Sequence, residues 1–138
     1  MKLRPYQTKW LRRVYAATGR VLIVGPTGAG KTVIAASVIR KAHKEGKRVL
    51  FLAHRRELVT QCVTRLHAAG VTSVGVIMAG AEPNPDAMVQ VASIQTYARR
   101  DAQAFDVVFI DEAHHATAAS YRKVIEDNPD AQLWAVRS

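Results

Sequence analysis

A single cysteine, Cys62, has no second thiol with which to form an internal disulfide, and this fits a reducing, cytoplasmic setting. Long apolar runs are missing. Stretches such as Val21-Leu22-Ile23-Val24 and Val107-Val108-Phe109-Ile110 fall far short of the roughly 20 residues that a membrane-spanning helix needs. The opening MKLRPYQTKW carries Pro, Gln and charge where a secretory signal needs an apolar segment. The expectation is therefore a cytoplasmic protein with no membrane partner. No internal repeat, low-complexity tract or interdomain linker is visible, and no Cys or His cluster has the spacing of a zinc site. Acidic residues are scarce: 11 Asp+Glu stand against 20 Lys+Arg, a net charge of +9, which favours a polyanionic partner without saying anything about fold.

What remains is enough for one packed domain. The chain has 138 residues, of which 49% are hydrophobic and 22% charged, a balance that can bury a core and is unlike a disordered chain. The charge is uneven. Residues 1–70 hold 15 Lys/Arg and 2 Asp/Glu; residues 71–138 hold 5 and 9. Either the first half carries a solvated basic face, or it binds an anion.

Hydrophobic patterning alternates between two periods. Buried strands are predicted over 20–25, 48–53, 73–79, 88–94, 106–110 and 132–136. Helices are predicted over 31–45, 56–69 and 117–127, with 95–104 a short helix or loop and 81–86 a turn-rich loop. Val33, Ile34, Ser37, Val38 and Ala42 form the inner face of the first helix, and Leu58, Cys62, Leu66 and Ala69 that of the second. Gly46 and Gly70 are expected to close these two helices. Cys62 reads as a small core residue rather than a nucleophile. Strands alternating with helices imply an α/β fold, with right-handed crossovers and a parallel sheet covered on both faces.

Gly25-Pro26-Thr27-Gly28-Ala29-Gly30-Lys31-Thr32 matches GxxxxGKT between a strand and a helix. Glycines let the backbone curl so that its N–H groups face phosphate oxygens, and the helix adds its unpaired N-terminal amides. Lys31 would reach the β and γ phosphates and the Thr32 hydroxyl would bind Mg²⁺; the plain alternative is a glycine-rich turn with a surface lysine. A phosphate loop needs an acidic partner for the metal. Asp111 and Glu112 end the apolar strand 106–110, where open parallel sheets place their ligands. Asp111 would anchor Mg²⁺ and Glu112 would orient an attacking water as general base.

With these residues in place a family resemblance is visible. Asp111-Glu112-Ala113-His114 is a DEAH sequence, and together with the phosphate loop it resembles the first RecA-like domain of superfamily 2 helicases. Leu3-Arg4-Pro5-Tyr6-Gln7 resembles the adenine-reading Q-motif region. Residues 53–61, AHRRELVTQ, resemble motif Ia, and 91–97, VASIQTY, resemble motif Ic. The nearest subgroup is that of the type III restriction enzyme Res subunit and RadD-like repair helicases. The resemblance implies a RecA-like P-loop NTPase fold, a three-layer αβα sandwich with a mainly parallel sheet. It implies an ATP- and Mg²⁺-dependent motor on nucleic acid, with DNA favoured. Arg4 and Gln7 would hold adenine, His114 would couple nucleotide state to the nucleic acid, and Arg55, Arg56, Ser93, Gln95 and Thr96 would meet the strand backbone. Arg, hydroxyl and amide groups suit such contacts; without the resemblance, Arg55-Arg56 reads as a surface pair at a helix start.

Such helicases carry a second RecA-like domain with arginine fingers, for which this chain has no room. The last strand is also followed by Val136-Arg137-Ser138 where a Ser/Thr-Ala-Thr motif III is expected. The expectation is a single ATP-binding domain, 1–138, cut within motif III, that hydrolyses ATP slowly when alone: a missing arginine finger costs on the order of 10³- to 10⁵-fold. The competing readings are a stand-alone, non-catalytic nucleotide-dependent binding module and a different phosphate-loop enzyme such as a small kinase.

Overall fold

A computed structural model of the chain describes residues 21–24, 29–100, 104–111 and 117–136. Six strands form one sheet: β1 (Val21–Val24), β2 (Val49–Ala53), β3 (Val74–Ile77), β4 (Val89–Ser93), β5 (Val107–Ile110) and β6 (Gln132–Val136). Among the described residues the helices between them are α1 (Ala29–Lys44), α2 (Arg56–Ala68), α3 (Ile94–Tyr97) and α4 (Ala118–Asp127). The spatial order is β1-β6-β5-β2-β4-β3, and every pairing is parallel. All six predicted strands are present. The region 95–104 resolves into the single turn α3, which takes Ile94 from the end of the predicted fourth strand.

The strand order decides which face each helix covers. From β1 the chain moves in one direction along the sheet, through α1 to β2 and through α2 to β3. It then reverses, and α3 and α4 carry it back to β5 and β6. A right-handed crossover that changes direction must change face. Accordingly Ile39 and Ala42 of α1 and Val59 and Leu66 of α2 share one core with Val49, Phe51, Val89, Val91, Val107 and Phe109. Ile94, Tyr97 and Val124, from α3 and α4, share the other with Leu50, Leu52, Ala92, Val108, Ile110 and Leu133. Alternate residues of β2 and β5 feed opposite cores, so these central strands are buried throughout.

The predicted helix faces need two corrections. On α1, Ser37 is exposed and Ile39, at 1% exposure, joins the expected Ala42 in the core, while the side chains of Val33 and Ile34 lie outside the described residues. On α2, Val59 is wholly buried, whereas Leu58 and Cys62 pack only at the edge of the core and Ala69 lies beyond the last helical turn. Both helices stop as expected. Gly46 (φ 73°) and Gly70 (φ 91°) occupy the left-handed region. There the Lys47 N–H reaches Ala42 O at 3.0 Å and the Val71 N–H reaches Leu66 O at 2.8 Å, the six-residue closure that satisfies a helix's last carbonyls.

Two buried amides organise the connections. Gln90 sits opposite Gly75 in the β3–β4 register, and its Nε2 donates to Asn84 O (2.8 Å) and Ala87 O (2.9 Å). It thereby ties the loop between β3 and β4 onto the sheet. A Cβ at position 75 would strike this amide, which is why the facing residue is glycine. Asn128, with no exposed surface, accepts from the Phe105 N–H at 2.8 Å and donates through Nδ2 to Val124 O at 2.7 Å and to Tyr97 Oη at 3.2 Å. The Tyr97 hydroxyl donates to Asp127 Oδ2 at 2.8 Å, and Lys123 Nζ meets the same oxygen at 2.9 Å. Burial, more than the carboxylate, pushes the Tyr97 hydroxyl above the usual phenol range, so it stays a neutral donor. α3, α4 and the approach to β5 are thus joined through one cluster. Among the described residues, no helix is long and apolar enough to cross a membrane.

Candidate nucleotide and nucleic-acid site

In a parallel sheet all C-terminal strand ends lie on one edge, and the candidate residues gather there. β1 leads into the phosphate-loop sequence. Residues 25–28 lie outside the described residues, but Ala29, Gly30, Lys31 and Thr32 form the first turn of α1. That helix has no acidic residue in its first turn and carries Lys41, His43 and Lys44 in its last. Its N-terminal amides therefore carry the positive end of the helix dipole with no carboxylate in the same turn.

Asp111 follows β5. Its N–H donates to Leu52 O at 2.8 Å, extending the β5–β2 ladder by one residue, and the residue is buried at 8% exposure. Only β6 separates β1 from β5, so the two strand tips stand roughly 10 Å apart at ordinary strand spacing. Asp111 offers carboxylate oxygens, hard donors of the kind that suit Mg²⁺. Among the described residues no group of three His, Cys, Asp or Glu side chains could hold a metal. Glu112 and His114 lie outside the described residues, as do Arg4 and Gln7.

The candidate strand-binding residues emerge one position further along. β2 and β4 are neighbours with Ala53 opposite Ser93, which brings motifs distant in sequence side by side. Arg55 is the N-cap residue of α2 and is exposed. Arg56 is exposed as well, and its Nη1 donates to Ala79 O at 3.0 Å. Gln95 is exposed, and its Nε2 donates to His54 O at 3.2 Å, a direct clasp between the two motifs. Ser93 and Thr96, by contrast, are each 6% exposed. The Thr96 N–H donates to Ser93 Oγ at 3.2 Å, and the two hydroxyls are 2.9 Å apart. The Ser93 hydroxyl caps α3 and donates to the Thr96 hydroxyl, and together they fix the turn that carries Gln95.

Cys62 lies on the sheet-facing side of α2, with its charge-bearing neighbours Asp111 and Arg65 acting in opposite senses. Burial, reinforced by the Asp111 carboxylate, pushes its thiol up to about 12, against a weaker pull from Arg65. The folded protein should therefore resist thiol alkylation at pH 8, while the unfolded chain reacts freely. The unfolded thiol loses its proton first, so this group's contribution to stability is intact below about pH 9 and falls away between pH 9 and about 12. Timed iodoacetamide labelling with and without denaturant checks the expectation; equal rates in the two states would contradict it.

The Asn128–Tyr97 cluster and the Gln90 clamp were not legible as sites in the sequence. A helix-ending Asn before Pro129 was the only signal of the first, and nothing marked the second.

A parallel sheet with a glycine-rich loop and helix after its first strand, an acidic residue at the tip of a neighbouring strand and helices on both faces defines a RecA-like phosphate-loop domain. The sequence matches the family described as type III restriction enzyme, res subunit, over residues 1–135, and the chain belongs to that family. It is the N-terminal domain type of a superfamily 2 helicase. It is 33% identical over 141 aligned positions to the putative ATP-dependent helicase IRC3 of Saccharomyces cerevisiae, covering 90% of this chain and 20% of that protein. It is 29% identical over 107 residues to a 51.5 kDa protein of Lactococcus phage (isolate 7-9), covering 76% of this chain and 21% of that protein. The chain thus spans about a fifth of the length of these relatives. Its fold is similar to that of the UvsW helicase from bacteriophage T4 (TM-score 0.73, 22% identity, 99% of this chain and 52% of that one). The Pyrococcus furiosus Hef helicase domain is more distant, at a TM-score of 0.58, 15% identity and coverage of 78% and 26%.

Proposed function

We propose that this chain is the ATP-binding domain of an ATP-dependent nucleic-acid helicase or translocase, acting on DNA in preference to RNA. The observation that carries the reading is the gathering, on one sheet edge, of the α1 N-terminus, Asp111, and the clasped pair of loops that hold Arg55, Arg56 and Gln95. One edge can then sense a nucleotide and a strand together.

In this reading the backbone of residues 25–32 and the Lys31 ammonium bind the phosphates, and Arg4 and Gln7 hold the adenine. Thr32 and Asp111 hold Mg²⁺, which when bound neutralises phosphate charge. Glu112 accepts a proton from the attacking water, and His114 relays the nucleotide state toward the strand side. Ser93 and Thr96 hold Gln95 in place, and Arg55, Arg56 and Gln95 contact backbone phosphates. A second RecA-like domain would complete the catalytic centre, so hydrolysis by this domain alone is slow.

Strand binding is the test that does not depend on turnover. Anisotropy of a labelled oligothymidylate should show an affinity that weakens steeply with salt, because released counterions drive the association. Replacing Arg55 and Arg56 together with Ala should weaken binding about tenfold at moderate salt. Affinity that stays flat with salt, or survives that double substitution, would remove the proposed track.

A further inference from the structure

We infer that the strand-binding track does not end at Gln95 but continues onto Arg99 and Arg100, beyond α3, and that these two guanidinium groups grip the phosphate backbone of the same single strand. The inference rests on the nucleic-acid reading above and names two contacts outside the motifs that suggested it.

Four observations carry it. Gln95 clasps the His54 carbonyl with its side chain, while its own carbonyl accepts from Arg99 Nε at 3.3 Å. A chain of direct contacts therefore runs from the loop bearing Arg55 to Arg99. Second, α3 is rigidly seated. Ile94, Thr96 and Tyr97 are buried, and the Arg99 and Arg100 N–H groups close the turn onto Thr96 O (3.1 Å) and Tyr97 O (3.2 Å). The two arginines are exposed yet mounted on a fixed platform, so little ordering is needed when a ligand arrives. Third, no carboxylate among the described residues pairs with either; Asp127 near the same turn is engaged by Tyr97 and Lys123. Fourth, residues 71–138 hold five basic residues against nine acidic ones, and of the two adjacent basic pairs, Arg99-Arg100 and Arg122-Lys123, the second has its lysine engaged by Asp127. This acidic half of the chain carries its one Arg-Arg pair directly after the helix that bears Gln95. Planar guanidinium forks suit phosphate oxygens and carry no base preference.

The line crosses the sheet edge. Arg55 and Arg56 stand above the face covered by α1 and α2, whereas α3 belongs to the opposite core.

The experiment compares three double variants of the chain: R99Q/R100Q, R55A/R56A, and R40A/K44A, the last removing the same charge from the solvent side of α1 toward the opposite sheet edge. Each is titrated into a fluorescein-labelled oligothymidylate of roughly 16 nucleotides across a salt series, with thermal melting as a check on folding. R99Q/R100Q is expected to melt like the parent, to bind about tenfold more weakly, and to lower the slope of log K against log salt by about 1.4, from two lost phosphate contacts. R40A/K44A should leave the slope unchanged. If R55A/R56A lowers affinity and slope while R99Q/R100Q does not, the track ends at Gln95 and this inference is overturned with the function standing. If neither pair matters, or R40A/K44A matters as much, there is no defined track and both readings fall. Should R99Q/R100Q melt early, the single R100Q, which leaves the Gln95 contact intact, must still lower the slope by about 0.7; no change overturns the inference.

Discussion

Replacing Lys31 with alanine is expected to lower the affinity for ATP·Mg²⁺ by roughly a hundredfold, since a charged hydrogen-bonding contact to phosphate is worth about 1.5–3 kcal/mol. The position explains the size. Lys31 stands in the first turn of a sixteen-residue helix whose N-terminus carries no acidic side chain. The backbone amides around it remain when its side chain is removed, so residual phosphate binding should persist through the helix end. AMP, which has no β or γ phosphate, should bind the variant and the parent alike. Isothermal titration with ATP, ADP and AMP separates the contributions. The expected loss is largest for ATP and absent for AMP; an equal loss for all three would mean that the substitution disturbs the fold, and no loss for ATP would refute the assignment of Lys31.

A second large effect is expected far from the nucleotide. Asn128→Ala should destabilise the domain by about 4 kcal/mol, a large share of the 5–15 kcal/mol typical of single domains. The side chain makes three bonds, to the Phe105 N–H, Val124 O and Tyr97 Oη. Alanine supplies none of them, and Asn128 has no exposed surface through which water could substitute. The Phe105 N–H is left unmet at about 1–3 kcal/mol, and the lost bonds to Val124 O, which keeps the residue-128 N–H, and to Tyr97 Oη, which keeps Asp127, add roughly 0.5–1.5 kcal/mol each. Asn128→Asp keeps the acceptor for Phe105 but sets an oxygen against Val124 O, and should be nearly as damaging. Tyr97→Phe keeps the ring in the core and leaves Lys123 on Asp127, so it should cost only about 1 kcal/mol. Urea unfolding checks the ranking through the midpoint at constant slope. A drop below about 1 kcal/mol for Asn128→Ala would show that the cluster is not structural.

The ranking matters for function because the cluster holds Tyr97, at the end of the short helix that carries Gln95. Tyr97 follows Gln95 and Thr96 directly, and α4 follows the DEAH sequence. Loosening Asn128 would unseat α3, and with it the platform on which Gln95, Arg99 and Arg100 stand.

The two kinds of candidate residue differed in how much the sequence showed of them. The phosphate loop and the DEAH sequence are each contiguous, and each adjoins a strand of unbroken apolar residues, so their place at a strand end could be read directly. Arg55 and Gln95 are forty residues apart and were linked only through a family resemblance. Their contact comes from β2 and β4 being neighbours, which strand patterning does not encode, because every strand of a parallel sheet reads as the same short apolar run. The same blindness put Ser93 and Thr96 on the strand-binding surface, when their hydroxyls are buried against each other.

Periodicity and punctuation alone determined six strands, the helices that separate them, their glycine stops and the α/β class, because a 3.6-residue and a 2-residue period bury different residues and glycine alone sits easily at positive φ. Only the tertiary structure decided the order β1-β6-β5-β2-β4-β3, and with it which loops meet. The reversal after β3 sends α3 and α4 to the second face, puts the strand that leads to Asp111 two strand positions from β1, and sets Ser93 beside Ala53. Those are long-range choices, made by right-handed crossovers and by how two cores can be filled, and no local window of residues contains them.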